Sequence, residues 1–149
     1  MNEFHNKTVI VTGASRGIGA AVAAAFASRG AVVFANHPDQ DADDHRHAIK
    51  KWREESKLDE KRVVPVTADV ADPEQVAGMF RIVSEHGSGL DVLVNNAGIN
   101  RDRTVRKMTD SEWRQVIQVN LDGAFFCCRS ALPLLHEHGR IVNVSSVVA

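Results

Sequence analysis

Apolar residues fall along this chain in two alternating rhythms. Short unbroken runs, Val9-Ile10-Val11 the first of them, read as strands buried on both faces. Between them, apolar positions recur three and four residues apart, the spacing of a helix that covers a sheet. The first strand is expected over residues 7–12, and an alanine-rich helix from near Gly17 to Gly30, a suitable C-terminal cap. A second strand follows over 31–36. Asp41, Asp43 and Asp44 then suit a helix start, with Ile49 and Trp52 as its buried pair. A third strand is expected over 63–68. Asp72-Pro73-Glu74-Gln75 supplies an N-cap, a proline for the first turn and a glutamine to complete the capping box. Val76, Met79, Phe80 and Val83 repeat at helical spacing behind it. A fourth strand over 91–95 leads into a polar loop. Thr109 and Glu112 make another capping box. Trp113, Val116, Ile117, Leu121, Phe125, Cys128, Leu132 and Leu135 mark one long apolar stripe, with Pro133 bending its last turns. The fifth strand is expected over 140–145.

Strands joined by helical crossovers predict a parallel sheet covered on both faces. Right-handed crossovers make this a Rossmann-like, doubly wound α/β domain, with its site at the carboxyl ends of the strands. Residues 1–149 read as one such domain, with no repeat, linker or low-complexity segment.

Composition narrows the function classes only modestly. The chain has 149 residues, 44% of them apolar and 25% charged, enough for one packed core. A formal net charge of −1 without a basic block argues against a nucleic-acid surface. No apolar run reaches membrane-spanning length, and Met1-Asn2-Glu3-Phe4-His5 lacks a signal-peptide pattern, so a soluble cytoplasmic protein is expected. Cys127 and Cys128 are neighbours that point apart on a helix, which suits reduced core residues rather than a disulfide.

Five groups of residues fall at the expected carboxyl ends. Thr12-Gly13-Ala14-Ser15-Arg16-Gly17-Ile18-Gly19 turns a strand through glycines into a helix. Unpaired N–H groups and the helix dipole make such a turn a phosphate cradle, although glycines also close ordinary turns. Asp69-Val70 ends the third strand, where an aspartate also serves simply as a helix entry. Asn95-Asn96-Ala97-Gly98 follows the fourth strand; paired asparagines there need backbone partners, and any turn accepts them. Asn120 sits on the apolar face of its helix, where a buried amide must be hydrogen-bonded. Ser145-Ser146 closes the fifth strand.

Gly-x-x-x-Gly-x-Gly in this place, with the other four groups in this order, resembles the short-chain dehydrogenase/reductase family. Asn96-Ala97-Gly98-Ile99-Asn100-Arg101-Asp102 and Met108-Thr109 are similar to its branch that reduces 3-oxoacyl thioesters, including acetoacetyl-CoA reductases. The resemblance implies a dinucleotide held by Thr12, Gly13, Ser15, Arg16, Gly17, Ile18 and Gly19, with Asp69-Val70 at the adenine and Asn96, Ala97 and Gly98 beside the cofactor. It implies that Ser146 polarises a substrate carbonyl and that Asn120 bends its helix and joins a water-mediated proton relay. A small-molecule carbonyl substrate, possible as acyl-CoA or acyl-ACP, and a homo-oligomer are implied too. The family's Tyr-x-x-x-Lys follows the serine strand, whereas this chain has no tyrosine and stops at Ala149. The sheet is therefore expected to be incomplete on its C-terminal side, and the chain alone inactive. NADP (NADPH) is the expected cofactor, because Arg16 can grip a 2′-phosphate and His37 stands where an NAD enzyme carries an acid. Asp39 and Asp41 lean the other way if the register shifts.

Three other readings remain beside this one. The chain could be a non-catalytic nucleotide-binding fragment or a partner subunit, with a sticky edge at the fifth strand. Gly13-Ala14-Ser15-Arg16-Gly17 also matches a hydrolase nucleophile elbow built on Ser15, but that elbow follows several strands rather than the first. His45-x-His47 and His136-x-His138 do not share a helix face and have no cysteine or acid set around them, so no metal is expected.

Overall fold

The computed structural model describes residues 3–87 and 89–146. Five parallel strands form one sheet in the order β3-β2-β1-β4-β5. They are β1 (Thr8–Val11), β2 (Val32–His37), β3 (Val63–Thr67), β4 (Leu90–Asn95) and β5 (Leu135–Asn143). The helices are α1 (Gly17–Ser28), α2 (Ala42–Glu55), α3 (Pro73–Glu85), α4 (Asp110–Ile117) and α5 (Gly123–Ala131). The expected Rossmann-like α/β class is the observed one.

Alternation along β1 divides the core. Val9 and Val11 join Val33, Val92 and Val94 on one face, which α1 and α2 cover with Ala23, Ala27 and Ile49. Ile10 joins Phe34 and Leu93 on the other, covered by Val76, Met79, Phe80 and Val83 of α3 and by Cys127 and Ala131 of α5. β1 pairs with β2 on one side and β4 on the other, so the strand order reverses at its carboxyl end. That switch point opens the crevice in which such sheets hold ligands.

Two caps form much as the sequence implies. Thr109 and Glu112 make a reciprocal capping box at α4. Asp72 accepts from the N–H groups of Glu74 and Gln75, and the Gln75 side-chain amide donates to the Asp72 carboxylate at 3.0 Å while its Oε1 accepts from the Asp69 N–H at 2.9 Å rather than from the Asp72 N–H. The bond to Asp69 ties the end of β3 to the start of α3. At the opposite, amino-terminal edge of the sheet, the buried Asp91 carboxylate accepts from the Thr8 N–H and from Lys7 Nζ, both at 2.9 Å. Burial alone would raise its pKa; these donors, with His136 at 3.2 Å, outweigh that and hold it below the usual carboxylate value.

The long apolar stripe is corrected. It breaks into α4, a π-helical turn over Gln118–Asp122, and α5. The buried face of α5 is Gly123, Cys127 and Ala131, while Leu121, Phe125 and Leu132 are 62%, 57% and 65% exposed. The reason is distance. A Cβ on Gly123 would lie 2.8 Å from Val70 Cγ2, so only small residues let α5 come this close. Leu135 belongs to β5, not the helix; α5 stops at Ala131, two residues before Pro133, which has no N–H to offer. β5 starts earlier than expected, pairing Leu135 with Leu90 before an irregularity, and then Arg140 with Val92.

Candidate cofactor and active site

The two turns that leave β1 and β4 are knitted together by Thr12. Its hydroxyl accepts from the Asn96 and Ala97 N–H groups, each at 2.9 Å, and donates to the Val94 carbonyl at 3.4 Å. The Asn96 amide donates back to the carbonyls of Thr12, at 2.9 Å, and Gly13, at 3.2 Å. Thr12 is 1% exposed. It positions the turn from behind, while Gly13, Ser15, Arg16, Ile18 and Gly19 line the cleft in front.

The three glycines serve different ends. A Cβ on Gly19 would lie 2.3 Å from the Gly13 carbonyl oxygen and 2.5 Å from Asn96 Nδ2, so this glycine lets α1 pack against the turn. A Cβ on Gly13 would lie 2.9 Å from Ala97 Cα. Gly17 has φ +59° and nothing within 4 Å of a Cβ position, so it faces open space at the helix start. No side chain caps α1 there, and Arg16, at the N-cap, is exposed without a side-chain partner among the described residues. Open N–H groups, the positive end of a helix dipole and an unpaired guanidinium form a donor set suited to an anion.

A cleft of about 760 Å³ runs from this turn across the carboxyl ends of the strands. Asp69, Val70, Asn96, Ala97 and Gly98 line it. The Asp69 carboxylate also accepts from the Ala71 N–H at 2.9 Å, which makes it a helix-entry residue as well. Asn36 was not singled out from sequence. It is 1% exposed, its Oδ1 accepts from the Gly13 N–H at 3.3 Å, and its Nδ2 donates to the Ala68 carbonyl at 2.9 Å. An amide inside the apolar run of β2 was the available clue, because a buried amide needs such partners.

At the end of β2 the sequence argument needs revision. His37 is wholly buried and does not line the cleft. Its Nδ1 lies 2.9 Å from the Pro38 carbonyl, which can only accept, so Nδ1 carries the proton; Nε2 then accepts from the Thr67 hydroxyl at 3.2 Å. Burial lowers its pKa, so this neutral tautomer persists. Gln40, Asp41 and His45 line the cleft instead. An acid therefore reaches the site through Asp41, which adopts φ 55° at the N-cap of α2. Ser15 is 5% exposed, with Oγ 2.9 Å from His45 Nδ1. Its burial is unlike the exposed serine of a nucleophile elbow.

A second cavity, of about 480 Å³, lies between the β4 turn, the π-helical turn and the end of β5. Asn120 borders it from the π-helical turn, exposed rather than buried. Its Oδ1 accepts from the Ile99 N–H at 2.9 Å and its Nδ2 donates to the Ile99 carbonyl at 3.0 Å, so it clamps the loop after β4 onto the bend. Asn95 donates to Asn143 Oδ1 on β5 at 2.8 Å and to Cys128 Sγ at 3.3 Å, while its own Oδ1 is buried without a partner among the described residues. Ser145 lines this cavity; Ser146 is exposed one residue beyond it. Cys127 is buried, which pushes its thiol up to about 12, and both cysteines are free. Among the described residues no cluster of three or more His, Cys, Asp or Glu could hold a metal, and no helix is long and apolar enough to cross a membrane.

The short chain dehydrogenase family model matches residues 7–149. The chain belongs to the short chain dehydrogenase family. It is 42% identical over 145 residues to the 3-oxoacyl-[acyl-carrier-protein] reductase FabG of Staphylococcus aureus, covering 95% of this chain and 56% of that protein. It is 38% identical over 145 residues to the meso-2,3-butanediol dehydrogenase of Serratia marcescens, covering 97% of this chain and 55% of that protein. A short chain dehydrogenase from Burkholderia cenocepacia, solved in complex with NADP, superposes with a TM-score of 0.85 at 32% identity, over 97% of this chain and 57% of its own. The chain thus spans about half the length of the relatives it matches. The donor set at Gly17 and Arg16 fits the pyrophosphate and phosphate groups of the NAD(P) that the family binds.

Proposed function

We propose that this chain forms the cofactor-binding part of an NADP-dependent reductase that converts a carbonyl, best a 3-oxoacyl thioester on CoA or an acyl carrier protein, to an alcohol. The observation that carries the reading is the cradle at Gly17 and Arg16, in a chain with 42% identity to a 3-oxoacyl-acyl-carrier-protein reductase. A nicotinamide dinucleotide supplies a hydride to the carbonyl carbon when bound. Gly13, Gly17 and Gly19 bring main-chain donors up to its phosphates, with Ser15 and Ile18 completing the turn. Arg16 neutralises a 2′-phosphate. Asp69-Val70 bounds the adenine end, and Asn96, Ala97 and Gly98 support the other side. Ser146 donates a hydrogen bond to the substrate oxygen as charge develops there. Asn120 holds the bend that borders the substrate and joins a water-mediated relay.

A second reading rests on one fact of the sequence: these 149 residues contain no tyrosine. The 149-residue chain by itself then binds nucleotide without efficient turnover, because losing a positioned general acid costs about 10²–10⁴ in rate. Calorimetric titration with NADPH and NADH tests the cofactor, with Arg16→Ala expected to weaken NADPH selectively. Equal affinities, or a preference for NADH, would refute the NADP reading. An assay with acetoacetyl-CoA tests the chemistry; robust turnover by residues 1–149 would mean that another residue supplies the proton. In a protein extended by a Tyr-x-x-x-Lys segment, Ser146→Ala is expected to cost much more activity than Ser145→Ala.

A further inference from the structure

We propose that His45 is a specificity-determining residue for the cofactor's 2′-phosphate, acting with Arg16 from the opposite wall of the cleft. The inference rests on the NADP reading above and goes further, because it moves recognition from the end of β2 to the first turns of α2. Three observations lead there.

His37, the residue at the end of β2, is unavailable. Both of its ring nitrogens are engaged, with Pro38 and Thr67, and it is wholly buried. Its neutral ring instead forms a platform. The His45 ring stacks on it with centroids 5.7 Å apart and planes inclined by 29°, which fixes the orientation of His45.

His45 is held at one nitrogen and open at the other. Nδ1 lies 2.9 Å from Ser15 Oγ, in the same turn as Arg16. When the serine hydroxyl donates to Nδ1, the ring proton sits on Nε2; when the ring is doubly protonated, Nε2 again carries one. Nε2 has no hydrogen-bond partner among the described residues, and His45 lines the cleft. A bound anion selects these two states, because only they present an N–H to it.

The surrounding charge makes such a donor necessary. Asp41 lines the same cleft with no capping bond to occupy its carboxylate, and it would repel a phosphate. Asp43 is neutralised by its ion pair with Arg46, which leaves that arginine engaged on the helix surface. Asp39 lies close enough to influence His37. Of the side chains with N–H groups at this end of the cleft, Asn36 spends its amide on the Val66 and Ala68 carbonyls and Gln40 is neutral, which leaves Arg16 and His45 to offset Asp41.

The test is calorimetric titration of the wild type, His45→Leu and His45→Gln with NADPH, NADH and the fragment 2′,5′-ADP, with circular dichroism to verify folding. His45→Leu is expected to weaken NADPH and 2′,5′-ADP by about tenfold, the scale of one charge-assisted hydrogen bond, while NADH changes by less than about twofold. His45→Gln, whose amide keeps an N–H donor, should recover part of the loss. If NADPH and NADH weaken equally, His45 merely supports the turn through Ser15 and the proposal is overturned. It is overturned too if wild type prefers NADPH and both variants keep that preference in full, which leaves the NADP reading standing. A wild type that does not prefer NADPH overturns both. Should His45→Leu fail to fold, the His45→Gln titration decides by the same criteria.

Discussion

β1 and β5 lie two places apart in one sheet and both pair in parallel with β4, yet β1 is buried at all four positions while β5 is mostly exposed. β1 has a strand on each side and helices over both faces. β5 has β4 alone as a paired neighbour among the described residues, and Val142 and Val144 remain 46% and 42% exposed. The same contrast holds for helices. α3 buries Val76, Met79, Phe80 and Val83, whereas α5 buries a glycine, a cysteine and an alanine and presents Phe125 to solvent. The cofactor half of the domain thus carries its own core, while the half around α5 and β5 holds apolar surface suited to further covering.

Core truncation should separate the two halves most sharply. Phe34→Ala, at a residue with no exposure, is expected to cost about 3–5 kcal/mol in urea unfolding, against about 0.5 kcal/mol or less for Leu132→Ala. Comparable losses would show that the α5 surface is covered even in the dilute monomer. Light scattering addresses self-association directly: the wild type should associate with rising concentration, and Leu121→Glu with Phe125→Glu should reduce it while leaving the circular dichroism unchanged.

Overpacking comes next in size. Gly19→Ala places its new carbon against the Gly13 carbonyl oxygen and the Asn96 amide, and should cost about 1–3 kcal/mol. Gly17→Ala meets no such neighbour, so its effect should appear as backbone strain of about 1–2 kcal/mol and as weakened NADPH binding. Chemical denaturation and calorimetry on both variants distinguish a packing glycine from a ligand-facing one.

A pH dependence localises to β2. The His37 pKa is lowered from the usual 6.5, chiefly by burial, against the opposing pull of its bond to Pro38. The unfolded chain therefore binds a proton more readily than the folded one, so stability rises with pH in this window. This contribution is present in full above pH 6.5 and is lost as pH falls from there through the folded value. His37→Asn should flatten that stretch of the stability profile; an unchanged slope would mean that His37 is not its source.

The smaller effects probe α4 and α5. Thr109→Ala removes one arm of the capping box and should cost about 1 kcal/mol. Between the adjacent cysteines, a maleimide should label half-buried Cys128 well before Cys127, whose thiol burial has pushed up to about 12. Equal labelling rates would indicate that α5 opens readily from the sheet.

Much of this was determined by local sequence. Val9-Ile10-Val11 followed by glycines names a buried strand and a tight turn into a helix, because glycine's freedom and apolar continuity are properties of a few neighbouring residues. The helix starts at Asp72-Pro73 and Thr109-x-x-Glu112 are local for the same reason. What tertiary structure decided involves distance in space between segments remote in the chain. Trp113 to Leu135 has the periodicity of one amphipathic helix, yet the close approach of Gly123 to Val70 selects the small-residue face for burial and leaves the large one outside. His37 reads as the cofactor discriminator by its position at the end of β2, and only its bonds to Pro38 and Thr67 show it turned inward. Asn36 carries no motif, and His45 stands out in the sequence only through a His45-x-His47 pair that points to no cofactor role. They enter the site because parallel strands bring the ends of β1, β2 and β3 side by side, and because α2 returns over that edge to set an imidazole against Ser15, thirty residues earlier in the chain.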